Sequence, residues 1–575
     1  MTNRDALPLV IAVTGHRDLV ADELPGLHAA LDQFFTRMRA EHPHRRLRLL
    51  TGLAAGGDQL AAEVALSHDI ALFAVLPMSR EQYAADFVAE TSQSSFHSLL
   101  ASAEQVIELP PARRPAGSDA NQRDLQYAQL GVFLCAHCHI LLALWDGKPG
   151  DHLGGTGQVV RFHHDDVMPG YEDRLAARQQ MLIDDESDLV YQIVCSRDRD
   201  DGTPADGLKP MSAGWYTKDA EIPRSQTLPV QHRQIFARSD AFSADAMQHA
   251  EVISTRCYPL LDDEARSLPQ SDRLAVIDRL FCQADVLAML FQKKTLLATR
   301  VLHIAAFLMG LCFLIYADLF AARGWLITFL VLFAFSSALQ TLGRRAEWHR
   351  KYLDYRALAE GLRVQFYWAA AGVTHESATH FPHDNFLQMQ DPELGWIRNV
   401  MRVAGFDSDS RPRQDTSGID YVRRAWIGDS ESGQLGYFAR GTRLRRQQQR
   451  LTQGLGKLSL IVSVVLVAVF IFAAAHIPEA WNDPMLALMG ALLLAYAIRE
   501  GYAYALAESE LIKQFRFMTR LYNNSRHRLS DACDPGEQRQ ILWALGKSAL
   551  DEHGEWLMLH RNRSVDDAEL WRMGG

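Results

Sequence analysis

Residues 301–320 are nearly all apolar, and as a helix rising about 1.5 Å per residue they reach across the roughly 30 Å hydrocarbon core of a bilayer. A second run, 325–342, follows after only Ala321, Ala322, Arg323 and Gly324, so the two read as a tight helical hairpin. A third run, 458–475, and a shorter fourth, 485–498, repeat the arrangement. Hydrocarbon offers backbone groups no partner outside their own helix, so each run predicts a transmembrane helix. The competing reading, buried helices of a large soluble core, draws on His303 and Asp318 within the first run and on the shortness of the fourth. The flanking charges speak against it. Lys293, Lys294 and Arg300 precede the first run, Arg344 and Arg345 follow the second, and Arg443, Arg445, Arg446 and Arg450 precede the third. The 476–484 turn holds no Lys or Arg, so the positive-inside tendency puts both termini and the 343–455 connection on the cytoplasmic side.

The rest of the chain reads as soluble protein. At 575 residues it exceeds one compact core, so several domains are expected: 1–225, an α/β domain; 226–375, a helical region with the first hairpin; 376–450, a cytosolic connection; and 451–575, the second hairpin with a helical arm. With 59 Lys+Arg against 69 Asp+Glu, the net charge is -10, which argues against a duplex-DNA binder. Seven cysteines, at 135, 138, 195, 257, 282, 312 and 533, form no framework, so disulfides are not expected and a reducing compartment is. The polar start shows no cleavable signal, so the first 290 or so residues are expected in the cytosol.

Short apolar runs at 9–13, 47–50, 70–76, 106–109, 140–145 and 189–195 read as strands buried on both faces. Helical periodicity lies between several of them, as in Leu24, Leu27, Leu31, Phe34, Phe35 and Met38. Alternation of this kind predicts right-handed βαβ units and a Rossmann-like α/β sheet covered on both faces. Ligands of such sheets bind beyond the carboxyl ends of the strands. Glycines and polar groups stand there: Gly15, His16 and Arg17; Thr51, Gly52, Gly56, Gly57 and Asp58; Asp146 and Gly147; and Gly154, Gly155, Thr156 and Gly157. Glycine lets backbone N–H groups approach an anion, and a helix starting there adds its positive end, so three such loops at one edge point to a phosphate-bearing ligand. The same glycines also serve as plain tight turns.

The order VTGHR, LLTGLAAGGDQLAAEVAL, ALWDG and GGTGQVV, within about residues 9–200, resembles the SLOG superfamily, the Rossmann-like group that includes the LOG and DprA proteins and the sensor region of melastatin-type channels. Members that cleave nucleotides carry a PGGxGTxxE loop. Here Leu153 stands for the Pro, Gln158 for the Thr and Arg161 for the catalytic Glu. A carboxylate suited to a positive ribosyl carbon has become a cation suited to phosphate. The resemblance therefore implies binding of a nucleotide-derived signal, a nucleotide or cyclic or oligonucleotide messenger, by the residues above with Arg161, and no turnover or resident cofactor. Asp146 is expected to orient ribose or base.

Two other constellations carry alternatives. Cys135-Ala-His-Cys138-His139 has the c-type haem spacing, but it runs into the strand at 140 and haem attachment requires export. The run His163-His164-Asp165-Asp166 offers metal ligands, yet neighbours on a helix diverge, so a solvated face is expected. Lys148 and Asp151 read as loop residues.

Each hairpin is followed by a charged, aromatic arm, YRALAEGLRVQFYWAAAG and EGYAYALAESELIKQFRFMTRLYNNSRHRL, a pattern of internal duplication. These arms and ALGKSALDEHGEWLMLHRNR resemble the SLATT group, the two-transmembrane effectors that accompany SLOG sensors in bacterial conflict systems. Together the resemblances imply a homo-oligomeric, ligand-gated effector of the bacterial inner membrane in antiphage defence, with a partner enzyme making the signal. A membrane-tethered nucleotide hydrolase, with Asp58 or Asp146 as acid or base, is the alternative.

Overall fold

Leu9, Val10, Ile11, Ala12 and Val13 are buried on both sides, as a parallel strand between helical layers requires. The computed structural model describes residues 6–112, 120–150, 152–171, 188–218, 224–373, 386–387, 392–404, 416–473 and 477–562. Two compact units emerge, Met1–Gln283 with Glu360–Thr416, and Ala284–Ala359 with Ser417–Gly575.

The first unit runs β1 (Pro8–Gly15), α1 (Leu24–Glu41), β2 (Arg46–Thr51), α2 (Gly57–Ser67), β3 (Ala71–Leu76), α3 (Arg80–Ala84), α4 (Glu90–Ser102), β4 (Gln105–Glu108), α5 (Gln122–Ala136), β5 (Ile140–Trp145), α6 (Thr156–Asp165) and β6 (Val190–Val194). There follow β7 (Ala213–Tyr216), β8 (Arg224–Ser225), α7 (Val230–Gln248), α8 (Ala250–Arg256) and α9 (Asp263–Arg266). The sheet order is β4-β3-β2-β1-β5-β6-β7-β8. The six predicted strands are all present and mutually parallel. On one face α5 and α6 bury Leu130, Val132, Val159 and Phe162 against Val10, Ala12, Leu141 and Ala143. Leu27, Leu31, Phe34, Phe35 and Met38 of α1 are also buried, with Phe34 stacked on Tyr191 of β6 at 4.5 Å. Burial of each such side chain contributes roughly 1.5–3 kcal/mol.

Three features depart from expectation. β7 and β8, where the sequence predicts no strand, extend the sheet antiparallel. Trp215 anchors them, buried edge-on to Tyr191 at 4.9 Å. Cys257 and Cys282 form a disulfide with Cα atoms 5.3 Å apart, where none was expected. The chain after α8 folds back on the long helix that begins at Ser271 and brings together cysteines 25 residues apart. His163 and His164 do not lie on a solvated face: both are buried, His163 Nε2 being 3.3 Å from the Leu189 carbonyl and the His164 ring 4.7 Å from that of Tyr216. α6 is covered on more sides than its polar residues suggest.

The rest of the chain is helical: α10 (Ser271–Leu314), α11 (Arg323–Arg345), α12 (Trp348–Ala371), α13 (Gly395–Ala404), α14 (Ser417–Val422), α15 (Gly433–Ala473), α16 (Asn482–Ala505), α17 (Glu508–Asp531) and α18 (Pro535–Asn562). Four helical stretches, Ser271–Leu319, Arg323–Ala371, Gly433–Ala473 and Glu479–Asp531, are long and apolar enough to cross a membrane. The apolar runs are segments of much longer helices. α10, for instance, begins thirty residues before the run at 301.

Within the second unit α10 and α16 pack antiparallel through reciprocal glycines. A Cβ on Gly310 would lie 2.5 Å from Leu494, and one on Gly490 2.8 Å from Leu314, the close approach that small residues give membrane helices. Ser459 and Ser463 of α15 donate to the Leu492 and Met489 carbonyls of α16 at 2.7 and 3.4 Å. Both arms begin alike. α11 passes Ala346 and turns at Glu347, φ 51°, into α12, while α16 passes Leu506 and turns at Ala507, φ 48°, into α17. A non-glycine residue in the left-handed region is uncommon, so its recurrence at matching positions agrees with internal duplication.

Candidate functional site

From β1 the chain steps outward through β2, β3 and β4, then returns through α5 to β5 on the other side of β1. The carboxyl ends of β1 and β5 thus flank a topological switch point, where open α/β sheets bind ligands. Gly15 stands opposite Leu144 in the register, and the residues that follow meet. His16 Nε2 lies 3.1 Å from Asp146 Oδ1 and 3.2 Å from the Asp146 main-chain nitrogen. With a proton on Nε2 the ring donates to the carboxylate; without it, the ring accepts the Asp146 N–H. Both side chains are buried, and Asp146 Oδ2 has no hydrogen-bond partner. Burial opposes charge on Asp146, but the His16 side chain, the Lys148 N–H and the Arg197 charge outweigh it and hold the carboxyl below its ordinary value. The pair is a buried, ionised acceptor beside a proton carrier.

The first two glycine turns lock into each other. A Cβ on Gly15 would lie 2.8 Å from the Gly57 Cα, and Gly56, at φ 83°, leaves 2.5 Å to the His16 carbonyl. The Gly57 N–H, first in α2, is spent on that carbonyl at 3.0 Å. Asp58 then fills the cradle from within, its carboxylate accepting the N–H groups of Ala54 and Gly15 and the Thr51 hydroxyl. Burial pushes its pKa up to about 7 against these donors and the nearby Arg17 charge. Gly52 is needed for packing, since a Cβ would meet Leu130 at 2.7 Å. The donors expected to face a phosphate here face the protein's own carboxylate.

The Arg17 guanidinium, close enough to Asp58 to act on its charge, lies 4.9 Å from the Tyr127 ring centre. Tyr127 donates to Asp86, which also accepts from Arg123 Nε at 3.3 Å. Tyr83 lies alongside, its hydroxyl buried without a partner and its pKa raised by burial. No motif marked Tyr83, Tyr127 or Asp86. A helical aromatic beside a strand end carries no signal until the sheet order is known.

The third loop leaves helix-start donors without a described acceptor, although they are buried beneath the chain at Lys148 and Gly150. Gly147, φ 82°, and Gly154, φ 75°, make its turns, Gly154 lying against the Tyr127–Ala128 peptide. The Gly154 N–H is taken by Gln158 Oε1 at 3.3 Å and that of Gly155 by the His152 carbonyl at 2.9 Å. Among the described residues none accepts from the N–H groups of Thr156, Gly157 and Gln158 in the first turn of α6. The chain at Lys148 and Gly150 crosses close over Gly157, and Lys148 Nζ pairs with Asp201 at 2.9 Å. Arg161 is in the second turn of α6, one turn further on than the loop's register suggests. It is half exposed, and its one ion-pair contact among the described residues is with Asp165 at 3.9 Å. Asp151 lies outside the described residues.

The haem spacing is closed off: Cys135 and Cys138 are buried, burial raises both thiol pKa values, and His139 Nδ1 accepts the Val10 N–H at 2.9 Å. Among the described residues no group of His, Cys, Asp and Glu is arranged to hold a metal ion. Searches of protein-family models and of curated proteins find no match to this chain.

Proposed function

We propose that this chain is a SLOG- and SLATT-like receptor of the bacterial inner membrane: a nucleotide-derived ligand binds at the switch point and drives paired transmembrane hairpins to open a pore or disrupt the bilayer. One observation carries the reading. The buried Asp146 carboxylate, with no described partner for Oδ2, stands at the switch point together with three N–H groups of α6 that have no acceptor among the described residues, in a chain with four bilayer-length helices. A carboxylate with a free oxygen suits a ribose diol or a base N–H, and a helix start suits one phosphate. Arg161, weakly held, is the cation positioned to swing toward that phosphate. Gly15, Thr51, Gly52, Gly56, Gly57 and Asp58 shape the floor, while His16, Arg17, Gly147, Gly154 and Gly155 line the approach.

The hairpins are 301–342 and 458–498, with both termini cytoplasmic and copies of the chain assembled in the bilayer. Ligand shifts a pre-existing equilibrium of the membrane part. By resemblance the setting is antiphage defence, with a partner enzyme making the signal. The second reading, a tethered nucleotide hydrolase, draws on the His16–Asp146 pair as acid and base. The test is the purified full-length protein in nanodiscs with a panel of nucleotides, cyclic nucleotides and dinucleotides. Binding with the compound recovered unchanged supports the receptor, and release of base or ribose phosphate supports the hydrolase.

A further inference from the structure

We propose that α15 is the seam along which copies of this chain join, in parallel, through one apolar stripe that starts in water and continues into the bilayer. The inference deepens the oligomeric membrane reading above and rests on it. Tyr437, Leu444, Leu451, Leu458, Val465 and Phe472 recur every seven residues along this one unbroken helix, and each is at least 45% exposed. A seven-residue repeat keeps one stripe facing a partner helix when the two coil slowly around each other.

Lipid covers only part of this stripe. The 41 residues of α15 span roughly 60 Å at about 1.5 Å each, twice the roughly 30 Å hydrocarbon core. Arg440, Arg443, Arg445, Arg446 and Arg450 crowd the first half and are costly to place in hydrocarbon. Leu444 and Leu451 therefore stand in water, apolar and exposed, as does the half of Tyr437 that Phe515 leaves uncovered.

Gly454 is the second observation. It sits mid-helix and exposed, between Leu451 and Leu458, and a Cβ there would meet nothing within 4 Å. A helix-interior glycine weakens the helix, and no contact among the described residues requires this one. A neighbouring helix at close approach does.

The occupant that fits both halves is a second copy. Copies in one bilayer cross it in the same sense, so α15 meets α15 in parallel and each seam residue meets its own counterpart. Arg443 and Arg450, one before each seam leucine, then face Gln448 and Leu455 of the other helix, which keeps these two cations off their counterparts, while Arg440 donates back to the Glu431 carbonyl of its own chain.

The test uses full-length protein in native membranes with the exposed Cys533 changed to Ser; the remaining free cysteines are buried. Leu444→Cys, Leu451→Cys and, as a control at the same depth, Arg450→Cys are each oxidised with copper phenanthroline, which takes two electrons as two thiols become one intermolecular disulfide. The proposal expects dimer at 444 and 451 at least tenfold above that at 450. It also expects Gly454→Leu to lower the oligomer fraction of detergent-solubilised protein in mass photometry. An oligomer in mass photometry with no disulfide at 444 or 451 overturns the seam and leaves the membrane receptor standing. Monomer alone overturns the seam and the oligomeric reading together.

Discussion

Changing Asp58 to Asn tests whether the first phosphate-type cradle is filled from within. In the folded protein the Asp58 carboxyl is pushed from 3.8 to about 7, chiefly by burial. Because the folded pKa is raised, the group's stabilising contribution is complete below its unfolded value near 4 and is lost as pH rises toward 7. At roughly 1.4 kcal/mol per unit over about three units, the loss is on the order of 4 kcal/mol. Asn mimics the protonated acid and carries no such dependence. Wild type should therefore fall relative to Asp58→Asn between pH 4 and 7, by roughly 6 °C in melting temperature for a unit of this size, at about 2.1 cal/mol/K of unfolding entropy per residue. The assay is paired thermal unfolding of full-length protein in detergent across that range, with proteolysis of the N-terminal unit as readout. Parallel curves for the two proteins would refute the inward-facing carboxylate.

Three further outcomes follow from the same geometry. Gly155→Asp places a carboxylate at the N-cap of α6, where it accepts first-turn N–H groups but brings its Cβ to 3.0 Å from the His152 carbonyl, so stability changes by no more than about a few tenths of a kcal/mol, yet it abolishes ligand binding in calorimetry by occupying the anion position. Arg161→Ala should leave the melting temperature unchanged while weakening ligand binding by roughly 1.5–3 kcal/mol, and Arg161→Glu should weaken it further. Asp188, 3.3 Å from His232, is opposed by burial but held well below its ordinary pKa by that histidine; its stabilisation is present above pH 4 and lost in acid, so Asp188→Asn should flatten the acid limb of a stability profile.

Much of the sheet was legible because β1, β3 and β5 are continuous apolar runs and β1, β2 and β5 close on Gly, Thr or Asp, the pattern of doubly buried parallel strands. β7 was not, since Ala213–Tyr216 is four residues in polar text and its one strong anchor, Trp215, acts through Tyr191 of another strand. The sequence placed the site residues at the right edge but could not show which way their donors point. Gly15, Gly52, Gly56 and Gly57 look like an anion cradle whether or not Asp58 turns in to fill it, because that depends on the contact between two loops forty residues apart. The buried His163 and His164 were misread for a related reason: their cover comes from Leu189 and Tyr216, beyond any local pattern. The apolar runs announced four membrane-length helices, but nothing local marked the left-handed turns at Glu347 and Ala507, which use no glycine.

The central claim, that a ligand at the switch point controls the membrane part, is tested most directly by ion flux from proteoliposomes holding the full-length protein. A panel of nucleotide-derived compounds is applied to wild type and to Asp146→Ala, with each compound recovered and identified afterwards. The account predicts that at least one compound changes flux through wild type, is recovered intact, and leaves Asp146→Ala unaffected. A compound that is cleaved without any change in flux, or that changes flux equally in both proteins, would contradict it.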